Sequence, residues 1–221
     1  MTPLVVRADT PAGFAQSEPW APTLDGVLAA AEMRLRLGDR YYSARPADLA
    51  PVEGLPLGVE RQGDLWWYQA GAPEIVGGAG VDLRMFHRRF DDQHERRLEA
   101  GVKKVMTAAG PYKTTRLATR RVVCRAVEWR AIGAAEEIEA LLATVDQIGG
   151  KRGAGYGVVS RWTVREGGPA DAERARFGRP LPVAFAAAHG VTGPEVPLGI
   201  VPPARLAPVP CVVPRAIHVR A

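Results

Sequence analysis

The sequence predicts an α+β fold whose core runs strand, helix, two strands, helix, strand. Three observations predict it. The chain opens on the β-branched run Leu4-Val5-Val6-Arg7-Ala8 and, after a polar loop, enters an amphipathic helix over 24–37. Later, the stretch Arg121–Arg130 sets Val123, Arg125, Val127 and Trp129 on one face and Val122, Cys124, Ala126 and Glu128 on the other, the two-residue period of a strand. A second amphipathic helix over 134–145 follows, and then the β-branched and aromatic run Val158-Val159-Ser160-Arg161-Trp162-Thr163-Val164. A strand–helix opening, intervening strands and a second strand–helix–strand unit make the βαββαβ order of a ferredoxin-like (RRM-type) domain.

Each element has a local reason. Residues 9–22, rich in Pro, Ala and polar side chains, read as a loop, and Thr23 is placed to cap the first helix. Leu24, Leu28, Ala31 and Leu35 form that helix's apolar stripe, and Gly38 stops it. Leu57-Gly58-Val59-Glu60 and Leu65-Trp66-Trp67-Tyr68-Gln69 flank Arg61-Gln62-Gly63-Asp64, a hairpin signal. In a strand Trp67 points opposite to Trp66 and Tyr68, so at least one face of this aromatic run belongs to the core. Val81–Phe90 reads as a further strand, Asp91–Ala100 as a charged helix, and Gly101–Thr119 as a basic loop without sustained periodicity. In the second helix Ile138, Leu141, Leu142 and Val145 share a face, with glutamates in the first turns where the helix dipole favours them. From Gly167 onward the chain is punctuated by ten prolines, which predicts extended segments. The expected organisation is therefore a domain over 1–166 with a basic insert at about 84–118, and a proline-rich extended C-terminal tail over 167–221 that packs on the domain or on a partner.

Composition narrows the function classes. Hydrophobic residues make up 47% of the 221 positions and charged residues 24%, which is ordinary for a globular protein. No apolar run is long enough to span a bilayer and the N-terminus lacks signal-peptide regions, so a cytoplasmic protein without membrane contact is expected. Two cysteines, Cys124 and Cys211, supply neither a disulfide framework nor a zinc site, and no metal or cofactor is expected. The charge is uneven. Between Arg84 and Arg125 stand twelve Lys and Arg against four acids, an excess of eight in a chain of net charge +5, so the remainder is net −3. A local basic block of this kind is the footprint of a nucleic-acid partner.

The second motif is the run Ile148-Gly149-Gly150-Lys151-Arg152-Gly153-Ala154-Gly155-Tyr156-Gly157, with five glycines, two cations and one aromatic. It lies between a helix and a strand, in that order. A dinucleotide fingerprint or a P-loop needs the reverse order, and here Lys151 is followed by Arg152 rather than Ser or Thr. At a helix C-terminus the dipole repels phosphate, so anion binding rests on backbone N–H groups and on Lys151 and Arg152. Glycines without Cβ atoms let a ribose-phosphate chain approach the backbone.

A ferredoxin-like domain with a glycine-rich loop before its last strand resembles the RAMP superfamily of CRISPR-associated RNA-binding proteins. Leu24-Asp25-Gly26-Val27-Leu28-Ala29, the glycine run and the turn Arg179-Pro180-Leu181-Pro182 are similar to the 5′-handle-binding subunit of type IV CRISPR effector complexes. The resemblance covers most of Leu4 to Pro182 in layout and implies a non-catalytic subunit in antiviral defence or plasmid targeting. Such a subunit grips the single-stranded, repeat-derived 5′ handle of the crRNA and caps a backbone of repeated subunits, beside a large subunit. The family's loop carries over to Gly149, Gly150, Lys151, Arg152, Gly153, Gly155, Tyr156 and Gly157. From charge alone, Arg88, Arg89, Arg96, Arg97, Lys103, Lys104, Tyr112, Lys113 and Arg116 are the insert residues expected at the RNA.

Two other readings stay open at this point. Some relatives in that superfamily cut RNA without metal, and His87, Tyr112 and Lys113 are the residues here that suit general acid–base work on a 2′-hydroxyl. His94, His189 and His218 are scattered, and no carboxylate at a telling spacing orients His87. The third reading is a free-standing RRM-like RNA-binding regulator, weakened because the sequence carries no RNP1 stretch.

Overall fold

Leu4, Val6 and Ala8 are fully buried on one face of the first strand, while Val5 and Arg7 stand on the other. That alternation sets two layers. A computed structural model describes residues 1–43, 50–91, 105–110, 112–203 and 207–218. In chain order its elements are β1 (Thr2–Asp9), β2 (Phe14–Ala15), α1 (Leu24–Leu37), β3 (Val59–Gln62), β4 (Leu65–Tyr68), β5 (Glu74–Val76), β6 (Gly80–Arg88), β7 (Thr115–Val123) and β8 (Ala126–Gly133). They continue with α2 (Ala135–Leu142), β9 (Arg161–Glu166), α3 (Pro169–Phe177), β10 (Leu181–Pro182), α4 (Val183–Ala188), β11 (Glu195–Leu198), β12 (Val209–Val212) and α5 (Arg215–His218).

The central sheet is antiparallel with strand order β5-β8-β1-β9. Its inner face, with Leu4, Val6, Val127, Trp129 and Ala131, packs on Leu24 and Leu28 of α1 and on Ile138 and Leu142 of α2. Mixed α+β architecture and this strand order are compatible with a ferredoxin-like fold. Thr23 caps α1, its hydroxyl accepting from the Gly26 N–H at 3.2 Å, and Gly38 ends the helix. No helix among the described residues is long and apolar enough to cross a membrane.

The outer face of the sheet is covered by α3. Arg7 bonds Asp9 and Glu128, and Arg130 bonds Glu128 at 3.1 Å and Asp171 of α3 at 2.8 Å. Asp171 also accepts from the Gly168 N–H at the start of α3, and that bond, more than Arg130, holds its carboxyl below the usual range.

Two strand expectations change. The stretch Arg121–Arg130 is not one strand. It divides at Cys124-Arg125 between β7 and β8, which lie in different sheets. The ladder continues through the bend: Arg125 N donates to Val76 O at 3.1 Å and Ala79 N to Val123 O at 2.8 Å. Gly77, at φ +62°, lets the chain turn where the Arg125 side chain lies against it. β5–β6 and β7–β8 therefore form one long bent ribbon, and the described strand residues of the basic insert, 84–88 and 115–118, lie in its outer half. Residues 115–119, expected as loop, belong to β7 because they pair with β6, which no local period reveals. Likewise the strand expected over 158–164 is observed over 161–166, because Val158 instead bridges Gln147. The helix expected at Asp91–Ala100 lies outside the described residues, apart from Asp91.

The C-terminal segment is not extended. It forms α3, α4 and a small sheet of order β10-β12-β11 over a second core of Leu181, Phe185, Ala186, Ile200, Cys211 and Val212. Trp67 of β4 completes that core, edge-on to Phe185, so the aromatic run is interior on both faces: Tyr68 is buried in the first core and Trp66 packs on it. The prolines sit where folded structure tolerates them. Pro169 is in the first turn of α3, Pro182 caps α4, and Pro197 faces Pro210 across the β11–β12 pair. Burial raises the Cys211 thiol to about 11 and also raises Cys124, which bonds Thr10.

One ion pair joins the two cores. Arg179, 4% exposed, bonds Asp25 of α1 (2% exposed) at 3.3 Å, the Tyr68 carbonyl, and the Ile200 carbonyl at 3.0 Å. Removing one member leaves the other charged and buried. Asp25→Ala is therefore expected to cost about 3–5 kcal/mol in urea unfolding, and the double variant Asp25→Ala/Arg179→Met less than the two single losses combined. A second docking pair, Arg176 of α3 with Glu60 of β3 at 2.7 and 3.1 Å, holds the Glu60 carboxyl below its ordinary range. A carboxyl depressed by folding stabilises above its unfolded pKa, and this contribution is lost as pH falls through the folded value. The stability advantage of wild type over Glu60→Gln should thus be constant above about pH 5 and shrink in more acid solution, as read by urea midpoints across pH.

Candidate nucleic-acid interface

The glycine run follows α2 and precedes β9, and both of its ends are sewn to the segment around β2. Gly150 N donates to Ala15 O at 3.0 Å, Gly157 N to Gly13 O at 3.1 Å, and Ile148 N to Gly157 O at 2.8 Å. Gly149 and Gly157 have φ of +74°. A Cβ on Gly157 would fall on the Ile148 carbonyl, and one on Gly149 would lie 2.6 Å from Ala15 O. These two glycines serve the backbone crossing. Between the sewn ends Lys151-Arg152-Gly153-Ala154-Gly155 are all exposed, and a Cβ on Gly153 or Gly155 would meet nothing. Gln147 braces the projection, its amide donating to the carbonyls of Arg152 (3.0 Å) and Tyr156 (3.4 Å).

Beside the loop lies a cleft of about 270 Å³. Gly149, Gly150 and Arg152 form one wall, Gly26, Ala30 and Arg34 of α1 another, and Ala15 and Ser17 a third. Two tryptophans fix its frame. Trp129 donates to Pro22 O and Trp162 to Val145 O, each at 2.8 Å, and the two indoles stack at 6.0 Å. The helix opening Leu24-Asp25-Gly26-Val27-Leu28 is thereby resolved by position: the leucines enter the core, Asp25 takes Arg179, and Gly26 and Val27 face the cleft.

The same strand β2 joins the loop to the basic ribbon. Phe14 and Ala15 pair with Val122 and Arg121 of β7, and Ala15 bridges Gly150 on its other side. The sequence gives residues 9–22 as loop, so this link is not visible in it; two residues are too short for a period. Along the ribbon Asp82, Arg84 and Arg88 share a face with Arg121, opposite in register to Arg121, Thr119 and Thr115. Asp82 binds Arg84 at 2.7 Å and Arg121 at 2.9 Å, and Arg84 first, then Arg121, holds its carboxyl below the usual range. Arg121 of this face stands opposite Ala15, the residue of β2 that bridges Gly150 of the glycine loop.

Of the expected insert residues, Arg88, Arg89, Tyr112, Lys113 and Arg116 are exposed on the ribbon and its outer end, with Arg116 across from His87 and Tyr112 edge-on to Phe90 at 5.0 Å. Arg96, Arg97, Lys103 and Lys104 lie outside the described residues, as does His94. Among the described residues no side chain hydrogen-bonds or ion-pairs with His87 or Lys113. Arg84 and Arg121 were not among the expected contacts, although both stand in the basic block; the strand register sets them on one face, and β2 joins the strand of Arg121 to the loop.

Stability separates the two kinds of glycine. Gly157→Ala should lose roughly 2–4 kcal/mol in denaturant unfolding, because the loop crossing must open to admit a methyl group. Gly153→Ala should stay within about 0.5 kcal/mol of wild type.

The profile of the family described as CRISPR type IV associated protein Csf3 matches residues 9–203. No curated protein matches the chain. The matched span takes in α1, the bent ribbon, the glycine loop and the Arg179 turn. The chain belongs to the CRISPR type IV associated protein Csf3 family.

Proposed function

We propose that this chain is a non-catalytic guide-RNA-binding subunit of a type IV CRISPR ribonucleoprotein, gripping the repeat-derived 5′ handle of the crRNA and capping the backbone of repeated subunits next to the large subunit. The observation that carries the reading is the junction of two basic, sequence-distant segments through β2: the exposed Lys151–Gly155 projection and the ribbon bearing Arg84, Arg88 and Arg121. Arg152 and Arg34 on separate walls of a cleft lined by Gly26, Gly149 and Gly150 suit a phosphate backbone that must come close to the protein main chain. Family membership supports the complex, and β1, α1, β5, β8, α2 and β9 support reading the core as an RRM-type βαββαβ unit.

The free-standing RRM-like regulator fits less well. An RRM stacks bases on aromatics of its open sheet face. Here that face carries Val5, Arg7, Glu128 and Arg130 beneath α3, with no aromatic on β1 or β8 facing it.

The test is co-purification of the tagged chain from its native host with sequencing of the bound RNA. Short RNAs sharing one repeat-derived 5′ end, together with a repeated partner subunit, are expected; unrelated transcripts would overturn the assignment. In filter binding, Gly153→Trp should weaken retention of that RNA without changing the melting temperature. Lys151→Glu/Arg152→Glu should flatten the dependence of log K on log salt by about one to two phosphate contacts. Uncut precursor RNA should remain intact with the purified chain. Cleavage abolished by His87→Ala would replace the binding role with the endoribonuclease one.

A further inference from the structure

A second cavity of about 500 Å³ lies directly behind the glycine cleft. The segment Ala15-Gln16-Ser17 is the partition: Ala15 and Ser17 line the cleft, and Gln16 between them lines the cavity. The volume falls in the range of small-ligand pockets. Its walls come from three parts of the fold: Glu74 and Ile75 at the outer edge of the central sheet, Val81, Arg120 and Val122 from the ribbon face turned away from the loop, and Arg174 and Ile217 from the C-terminal unit.

The polar groups are unequally committed. Arg130 is spent on Asp171, Glu128 and Glu74, and Arg174 lies 3.5 Å from Glu74. The guanidinium of Arg120, by contrast, has no hydrogen-bond or ion-pair partner among the described residues. Gln16 is buried, and its amide nitrogen is committed to the carbonyls of Pro19 and Ala21, which leaves Oε1 as an acceptor. An uncommitted donor and an acceptor between apolar walls of Ile75, Val81 and Val122 match an object with flat apolar faces and a polar edge. A nucleobase has that form.

We infer that the cavity lined by Gln16, Ile75, Val81 and Arg120 takes one nucleobase of the RNA whose backbone crosses the glycine cleft. The inference rests on the RNA-binding reading above. Bases next to each other on a single strand are splayed by the Ala15–Ser17 partition, one lying over the cleft and its neighbour turned into the cavity. The base is held by its faces and one edge, so this nucleotide is the position at which the subunit discriminates sequence.

The experiment uses the RNA that co-purifies with the full chain, resynthesised with one abasic nucleotide at each position in turn. Wild type should show one position, adjacent to those protected by Lys151 and Arg152, where base removal weakens binding about tenfold or more. Arg120→Ala and the cavity-filling Val81→Trp should lower affinity for intact RNA by a similar factor and bind the abasic RNA no worse than the intact one. Val81 is 53% exposed and Arg120 is half-buried with no ion-pair partner among the described residues, so unchanged melting temperatures are expected for both variants. Additive losses at every abasic position, with Gly153→Trp still defective, would overturn the base pocket and leave the backbone grip standing. Unchanged RNA affinity in Arg120→Ala with loss of a protein subunit from the purified complex would likewise overturn it, in favour of an acidic peptide. Failure of wild type to retain any RNA would remove the RNA-binding reading and the pocket together.

Discussion

The buried contact between Arg179 and Asp25 constrains the rest of this structure. A guanidinium 4% exposed is held by one carboxylate and two main-chain carbonyls, drawn from α1, from β4 and from the loop after β11. Each donor satisfied there fixes a different piece of chain. Asp25 sits in the first turn of α1, where a negative charge also suits the helix dipole, so the pair orients the helix that walls the glycine cleft. The Tyr68 carbonyl fixes the hairpin whose Trp67 enters the second core, and the Ile200 carbonyl closes that core. The guanidinium Nε is buried without a partner, so the arrangement is not the lowest-energy way to fill this volume. A buried pair of this sort is better understood as setting a unique register between two cores than as adding net stability.

The cleft follows from that register together with a hydrogen-bond crossing at β2. Two of the five glycines are consumed by the crossing itself, at Gly149 and Gly157, where main chain passes main chain too closely for a Cβ. Gly150 carries the bond to Ala15, and Gly153 and Gly155 are left in an exposed projection. One glycine-rich motif thus contains two mechanisms: the sewn ends give the loop a fixed origin, and the open middle gives it a surface that a polymer backbone can approach. Bracing by Gln147 and by the stacked Trp129–Trp162 pair makes the walls rigid through uncharged groups.

Much of this was legible in the residues. The α1 boundaries, the Thr23 cap, the hairpin around Arg61-Gln62-Gly63-Asp64 and a core role for at least one face of the aromatic run follow from local periodicity and turn chemistry; all are observed, with Arg61 and Gln62 belonging to β3 rather than to the turn. The order helix, glycine loop, strand is likewise local. What local signals lacked was pairing between distant segments. β2 has two residues and therefore no period; β7 alternates weakly because half its faces meet solvent; β5 is three residues at a sheet edge. The C-terminal segment misled for a different reason. Proline frequency argues for extended chain only when the positions are unknown, and here prolines occupy a first helical turn, a helix cap and mutually facing strand sites. The resemblance of three short stretches had more reach than periodicity, since two of them, at Asp25 and Arg179, turn out to be the two halves of a single buried pair.

The placement of α3 decides where a nucleic acid can lie on such a core. With the outer face of β1 and β8 occupied by α3 and an ion-pair network, the area that an open four-stranded sheet offers to stacked bases is gone. The same helix, through Arg174, supplies part of the wall of the large cavity at the edge of β5. Covering the sheet therefore shifts the accessible concave surface to its margin, where the bent ribbon leaves the central sheet and the glycine loop meets β2. Arg120 and Arg121 of the ribbon and Lys151 and Arg152 of the loop stand near this margin, and the sequence outside the block from Arg84 to Arg125 is net negative. For the RNA proposed above, charge favours the margin and packing closes the sheet, so electrostatics and sterics favour the same site.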